Sequence, residues 1–350
     1  MPILVDVVTA SPPHQVEQAL ATQFAREVFG PSHPHIERLL PLFANTGIKT
    51  RHFCCAPDWY RGDHPLHERN AIYIEHATDL CARAGRDLLT RHGLRPTDID
   101  RVFYINTTGL ATPSIDARLI NVLGLRPNVR RTPIWGLGCA GGAAGLSHAV
   151  RDLRGHPRER ALVFAAEMCS LTFLRDDPSK SNLVATALFA DGAAVALLSG
   201  DEVGDTGYEM LDTRSTFYPD SLGVMGWNVV SHGLQVVFDQ RIPDIVDANA
   251  AREIDALLTD HGLTRGDIGE WLYHPGGPRV LHAYAAAYGV SLDAFRWSRE
   301  VLADHGNMSS VTVLYVLARY LAAHPPGRGG HAVISALGPG FSSESLLMRL

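Results

Sequence analysis

One cysteine in this chain has the surroundings of a nucleophile. Cys139 lies in IWGLGCAGGAAGLSHAV, where a short extended run passes through glycines into an apolar, Ala- and Gly-rich stretch of helical character. That pattern sets the sulfur at a helix N-terminus, where unpaired backbone N–H groups and the positive end of the dipole favour a thiolate. Small flanking residues leave room for a substrate, and a thiolate both attacks and departs well, as transient acyl thioesters require. Taken alone, Cys139 reads more simply as a small core residue at a tight turn. Two later segments supply the partners such a thiol needs. His274 closes a strand in WLYHPGGPRVL, and Asn307 precedes a helix in DHGNMSSVTVL. An imidazole can serve the sulfur as base or cation, and imidazole and amide together can hold the oxygen of a thioester enolate. Singly, His274 is an ordinary strand-end histidine and Asn307 an ordinary helix cap. Together with Cys139, each at an element end and each beside glycine or a Pro/Gly turn, they point to a catalytic set.

The same glycines allow a rival. Gly136, Gly138 and Gly141 match G-x-G-x-x-G after a strand and before a helix, and Glu167 closes a later strand where a ribose-binding acid could stand. The acid falls somewhat beyond the usual spacing. This reading, an NAD(P)-dependent oxidoreductase, says nothing of the segments around His274 and Asn307.

Bringing the three residues together requires two parts that fold as one. Strands are expected over residues 3–10, 101–108, 132–135, 161–167 and 193–199, and helices over 15–29, 114–123 and 140–154. The later part resembles a repeat, with helices over 248–261, 279–288 and 309–323 and strands over 271–274 and 331–338. Such alternation argues for α/β layering. Turn formers and acids cluster over 200–207, so the halves divide into residues 1–200, with Cys139, and 201–350, with His274 and Asn307.

The bulk numbers fit a globular enzyme. The chain has 350 residues, 46% hydrophobic and 19% charged, with a net charge of −6. That length suits two packed halves, and no basic run points to nucleic acid or an anionic membrane surface. The start, MPILVDVVTASPP, lacks the pattern of a signal peptide, and no apolar run is long enough to span a membrane. The five cysteines form no C-x-x-C pair, so a disulfide framework or zinc site is not expected and a reducing cytoplasm fits best.

At these residues the sequence resembles a type III polyketide synthase, the chalcone and stilbene synthase-like branch of the thiolase-fold condensing enzymes. GLGCAGG resembles the nucleophile segment, HPGGP the histidine segment, GNMSS the asparagine segment and LGPGFSSE the C-terminal Gly-Pro-Gly loop, in the family's order over nearly the whole chain. HPGGP separates it from the related ketoacyl synthase III enzymes, the nearest alternative condensing enzymes. A third possibility, a non-catalytic thiolase-fold partner subunit, sits poorly with intact Cys139, His274 and Asn307. The resemblance implies a thiolase-like α/β fold, two duplicated βαβαβ halves in a five-layered αβαβα core, and a homodimer. It implies acyl-CoA and malonyl-CoA as substrates, with no cofactor or metal. Cys139 would carry the acyl chain, ion-paired with His274, while His274 and Asn307 promote decarboxylation of malonyl-CoA.

Phe189 matches a gatekeeper between CoA tunnel and cavity, and Thr108, Glu167, Thr172 and Ser309 match cavity positions. Thr108, Glu167 and Ser309 are expected to form a network that orders a water. Gly338, Pro339, Gly340 and Phe341 would shape the cavity wall, and Thr112 would reach the partner's cavity. Of three basic CoA-entrance residues only Arg38 has a counterpart, the others falling at Pro41 and Asn45, so Arg279 and the backbone at Gly276 are the remaining CoA contacts expected. Cys169 and Ala185 are smaller than their plant counterparts. Likeness to bacterial enzymes that extend fatty acyl-CoAs leads to an expected long-chain starter and an alkylpyrone or alkylresorcinol product.

Overall fold

A computed structural model describes residues 1–31, 33 and 35–350. Nine strands form one sheet, in the order Ile268–Tyr273, His331–Gly338, Ser342–Arg349, Tyr208–Phe217, Ile3–Ala10, Asp191–Ser199, Arg160–Met168, Arg101–Asn106 and Arg130–Trp135. The last three are mutually parallel neighbours, as are the first two; the remaining pairings are antiparallel. Ile3 and Leu4 join the halves across the sheet, pairing with Glu209 and Tyr208, and Met210 N donates to the Pro2 carbonyl beside them.

Two helices lie between the halves, Gly141–Arg154 and Thr312–Ala323. Gly141–Arg154 is buried at ten positions from Gly141 to Leu153, because it meets strands of both halves and has almost no face left for water. Around these helices one core joins Phe103, Val163 and Ala194 to Leu272, Ile334 and Leu346. Outside the N-terminal half lie Leu66–Arg91 and Ile115–Leu123, and outside the other half Ile242–Thr259 and Pro278–Tyr288, each pair over its own apolar cluster. The five expected αβαβα layers are therefore present. Residues 200–207 join the two halves, but the shared central layer makes that a division of the chain rather than of the core.

Some element limits move for local reasons. The expected strand over 101–108 stops at Asn106, since Thr107 and Thr108 turn their N–H groups from the sheet to Glu167. The expected helix over 15–29 begins at Gln18, because His14–Glu17 pairs with Thr50–Phe53 as a short ribbon. Among the described residues no helix is long and apolar enough to cross a membrane.

Candidate active site

The duplicated topology explains how distant residues meet. Cys139 precedes one central helix and Asn307 precedes the other, while Thr107 and His274 leave equivalent strands of the two halves. The strand Arg130–Trp135 ends in a turn through Gly136 (φ 93°) and Gly138 (φ 47°), and a 3-10 turn over Gly138–Ala140 delivers Cys139 to the helix start. The N–H of Gly138 donates to Thr107 Oγ1 at 2.9 Å. A Cβ on Gly138 would sit 2.5 Å from Cδ of Pro339, so the Gly-Pro-Gly loop presses directly on the cysteine turn.

A chain of contacts links the three residues across the halves. Cys139 Sγ lies 3.7 Å from Ser309 Oγ. Ser309 has a positive φ of 50°, and its N–H donates to Asn307 Oδ1 at 2.8 Å. Asn307 Nδ2 donates weakly to the Gly276 carbonyl at 3.3 Å, and the His274 ring lies against Gly276, 3.9 Å from where a Cβ there would stand. His274 is only 4% exposed, yet neither ring nitrogen has a hydrogen-bond partner among the described residues. Buried polar atoms are almost always paired, so an imidazole left this way is poised for a group outside the protein.

Burial pushes the Cys139 thiol up to about 12, with the Ser309 hydroxyl pulling the other way. It pushes the His274 imidazole down to about 3. Burial thus works against the ion pair implied by the resemblance.

Glu167 is fully buried and receives four hydrogen bonds, from Thr107 N, Thr108 N and Thr108 Oγ1 on one oxygen and Ser310 Oγ on the other. Burial pushes its carboxyl up to about 7 against those donors. The expected network is therefore corrected in one member. Ser310 rather than Ser309 meets Glu167, because Ser309 is turned to Cys139. The Thr108 hydroxyl, donating to Glu167 and accepting from Met168 N, keeps no proton for a water.

Phe189 caps the helix Lys180–Leu188 and bridges to Asn307, with its ring against Trp227 and Phe238. Thr172 donates to the Cys169 carbonyl at 2.7 Å, and both line one cavity with Phe189 and Ala185. Gly338 packs on the cysteine turn, where a Cβ would come within 2.3 Å of the Leu137 carbonyl oxygen, and Gly340 lies against Phe217. Phe341 departs from expectation: it is fully buried against Tyr218 in the outer C-terminal core, so it supports the loop rather than facing a cavity. Arg38 and Arg279 are both exposed. The groove beside the Pro278–Tyr288 helix is lined by Asn45, Pro278, His282, Arg296 and Arg299, and neither Arg38 nor Arg279 is among its walls.

Two of the three glycines of the rival dinucleotide site are occupied by protein. Beyond the Pro339 contact at Gly138, a Cβ on Gly141 would lie 2.6 Å from Ile105 Cγ2 and 3.1 Å from Ser310 Cβ, while Gly136 stands open. The helix N-terminus is closed by the other half and leaves no bed for a pyrophosphate. Sequence reasoning overlooked Ser310, Arg51 and Asp191. Arg51 is buried, donating to the Thr186 and Phe189 carbonyls, and buried Asp191 accepts from Ser170 and Cys54. A basic residue in a strand and an acid opening another carry no motif, so only burial reveals them.

Comparison with known proteins agrees with this geometry. Residues 3–202 match the model of the N-terminal domain of chalcone and stilbene synthases, and residues 209–350 that of the C-terminal domain. The chain is 39% identical over 346 residues to the 1,3,6,8-tetrahydroxynaphthalene synthase of Streptomyces peucetius subsp. caesius, covering 97% of this chain and 91% of that one. It is 26% identical over 363 residues to the alpha-pyrone synthesis polyketide synthase-like Pks18 of Mycobacterium tuberculosis (strain CDC 1551 / Oshkosh), covering 99% and 91%. The crystal structure of the tetrahydroxynaphthalene synthase of Streptomyces coelicolor A3(2) superposes with a TM-score of 0.93 at 30% identity, covering 99% of each chain. The chain therefore belongs to the chalcone and stilbene synthase family, the type III polyketide synthases, which are condensing acyltransferases of thiolase-like fold.

Proposed function

We propose that this enzyme loads a fatty acyl group from CoA onto Cys139, extends it with malonyl units, and closes the product to an alkylpyrone or alkylresorcinol. The observation that carries the catalytic part is His274, buried with both ring nitrogens unpartnered, joined through Gly276, Asn307 and Ser309 to the cysteine sulfur. Cys139, its proton taken by His274, attacks the starter thioester, and CoA leaves with that proton. Malonyl-CoA then loses CO2, and the enolate oxygen is held by a His274 N–H and the Asn307 amide. The enolate carbon attacks the Cys139 thioester, releasing the thiolate and leaving the lengthened chain on CoA. No redox or metal step is needed, because each thioester brings its own activation.

The fatty starter is supported by the apolar cavity behind Phe189, where Cys169 and Ala185 leave space. A second reading, malonyl-CoA as sole substrate giving a naphthalene product, is favoured by the names of several relatives. Against it stands Thr107, whose hydroxyl anchors Gly138, where enzymes of that type tend to carry cysteine, a weaker acceptor. A panel of acyl-CoA starters with malonyl-CoA, read by mass spectrometry, separates the two. Chain-length-dependent pyrones or resorcinols support the fatty starter; turnover of malonyl-CoA alone with indifference to fatty acyl-CoAs rejects it.

The working form is a homodimer in the cytoplasm. The strand Arg130–Trp135 forms one of the two sheet edges, and the nearby Leu110, Val122 and Trp135 are 54%, 44% and 49% exposed. An unpaired, partly apolar edge of this kind is normally covered. Sedimentation at micromolar concentration giving only the monomer mass would reject the dimer.

A further inference from the structure

Two cysteines follow the strand Thr50–Phe53 and take no part in the catalytic set. Cys54 and Cys55 are both free thiols, and their sulfurs lie 4.0 Å apart. Cys54 is only 3% exposed, while Cys55 is half-buried. One sulfur of the pair meets solvent and the other stands directly behind it.

The surrounding hydrogen bonds decide which sulfur holds a proton. Ser170 Oγ donates to Asp191 Oδ2 at 2.6 Å, so Tyr60 gives its own hydroxyl proton to Ser170 Oγ. These are the two hydroxyls beside the Cys54 sulfur, Ser170 at 3.7 Å and Tyr60 at 3.9 Å, and both protons are committed elsewhere. Neither donates to Cys54. The Cys54 S–H is therefore the donor, and the Cys55 sulfur accepts from it. That donation pulls the Cys55 thiol down and, together with burial, pushes the Cys54 thiol up. The solvent-facing sulfur is thus the better thiolate, and the thiolate is the form that peroxides oxidise. A second thiol within reach is what resolves the product.

We propose that Cys54 and Cys55 form a reversible oxidation site for hydrogen peroxide, in which Cys55 reacts first and Cys54 resolves it to a disulfide. The site is separate from the condensing reaction and needs neither Cys139 nor a CoA thioester. The Cys55 thiolate attacks one peroxide oxygen. An S–O bond forms, the O–O bond breaks, and the other oxygen leaves as hydroxide, which takes up the proton Cys55 had released. Cys54 then attacks the Cys55 sulfur. An S–S bond forms, the S–O bond breaks, and a second water leaves with the Cys54 proton. The two thiols together lose an electron pair, and the peroxide takes it. Consecutive Cα atoms are about 3.8 Å apart, closer than the roughly 4.4–6.8 Å usual across a disulfide. A bond between neighbours is therefore readily reduced, and the dithiol is the resting form in a reducing compartment.

The test uses the full enzyme, treated with hydrogen peroxide, denatured and alkylated with N-ethylmaleimide. The peptide carrying residues 52–61 is then read by mass spectrometry. It is expected to be lighter by two hydrogens and to take no maleimide, and to take two after dithiothreitol. In Cys55→Ser, a change at a half-buried position, Cys54 is expected to stay a thiol and take one maleimide at the same peroxide dose. In Cys54→Ser, Cys55 is expected to stop at the sulfenic acid and be trapped by dimedone. Oxidation of Cys139 while residues 52–61 still take two maleimides overturns the site. So does a disulfide from either residue to another cysteine, or oxidation of Cys54 that persists in Cys55→Ser.

Discussion

His274 and Cys139 are both buried and both disfavoured as ions. Burial alone drives each to its neutral form, the thiol up to about 12 and the imidazole down to about 3. In the proposed ion pair each charge becomes tolerable beside the other, since an opposite charge within a few ångström shifts a pKa by about 1–3 units. Replacing His274 by Gln is therefore expected to move the pH midpoint of Cys139 alkylation upward by about 1–3 units. The measurement is the rate of modification by iodoacetamide against pH, and an unchanged midpoint would separate the two residues chemically. The adjacent serines make a second contrast. Ser310 donates to a buried carboxylate and Ser309 only approaches sulfur. Ser310→Ala is expected to cost about 1–3 kcal/mol in chemical denaturation, the price of an unmet buried acceptor, and to push the Glu167 carboxyl higher still. Ser309→Ala is expected to leave stability within about 0.5 kcal/mol; equal losses would contradict the division.

The central helices make the site because they start close together. At Gly142 a Cβ would stand 2.2 Å from the Ser310 carbonyl oxygen and 2.8 Å from Val313 Cγ1. Gly142→Ala is therefore expected to cost about 1–3 kcal/mol by overpacking, read as a lower denaturation midpoint; an unchanged midpoint would mean the helices can slide apart. The sequence made these two helices legible, since runs apolar all round belong in a shared interior, and it pointed to the three candidate catalytic residues through their element ends. It concealed other things. Leu66–Arg91, the 26-residue outer helix, mixes charges into its buried Tyr73, Ala77 and Leu88 stripe and escaped notice. The strand Ser342–Arg349 hid behind the Gly-Pro-Gly loop, and the hairpin Met225–Val230 with Gly233–Phe238 carries few strand signals beyond its valines. Which of two neighbouring serines meets Glu167 depended on one left-handed residue, Ser309, which spacing does not reveal.

Neither half holds the whole candidate site. Residues 3–202 bring Cys139 and Glu167, residues 209–350 bring His274 and Asn307, and the shared helix layer fixes their separation. An apolar cavity behind Phe189 lies beside that junction. The account stands or falls on where the acyl group is held. Intact and peptide mass spectrometry after brief mixing with a fatty acyl-CoA reads this directly. The account predicts one acyl adduct, on the peptide carrying Cys139, absent in Cys139→Ala and retained in Asn307→Ala, whose malonyl-CoA decarboxylation falls by about 10²–10³-fold. An adduct on Cys54, Cys55, Cys81 or Cys169, or undiminished product from Cys139→Ala, would contradict it.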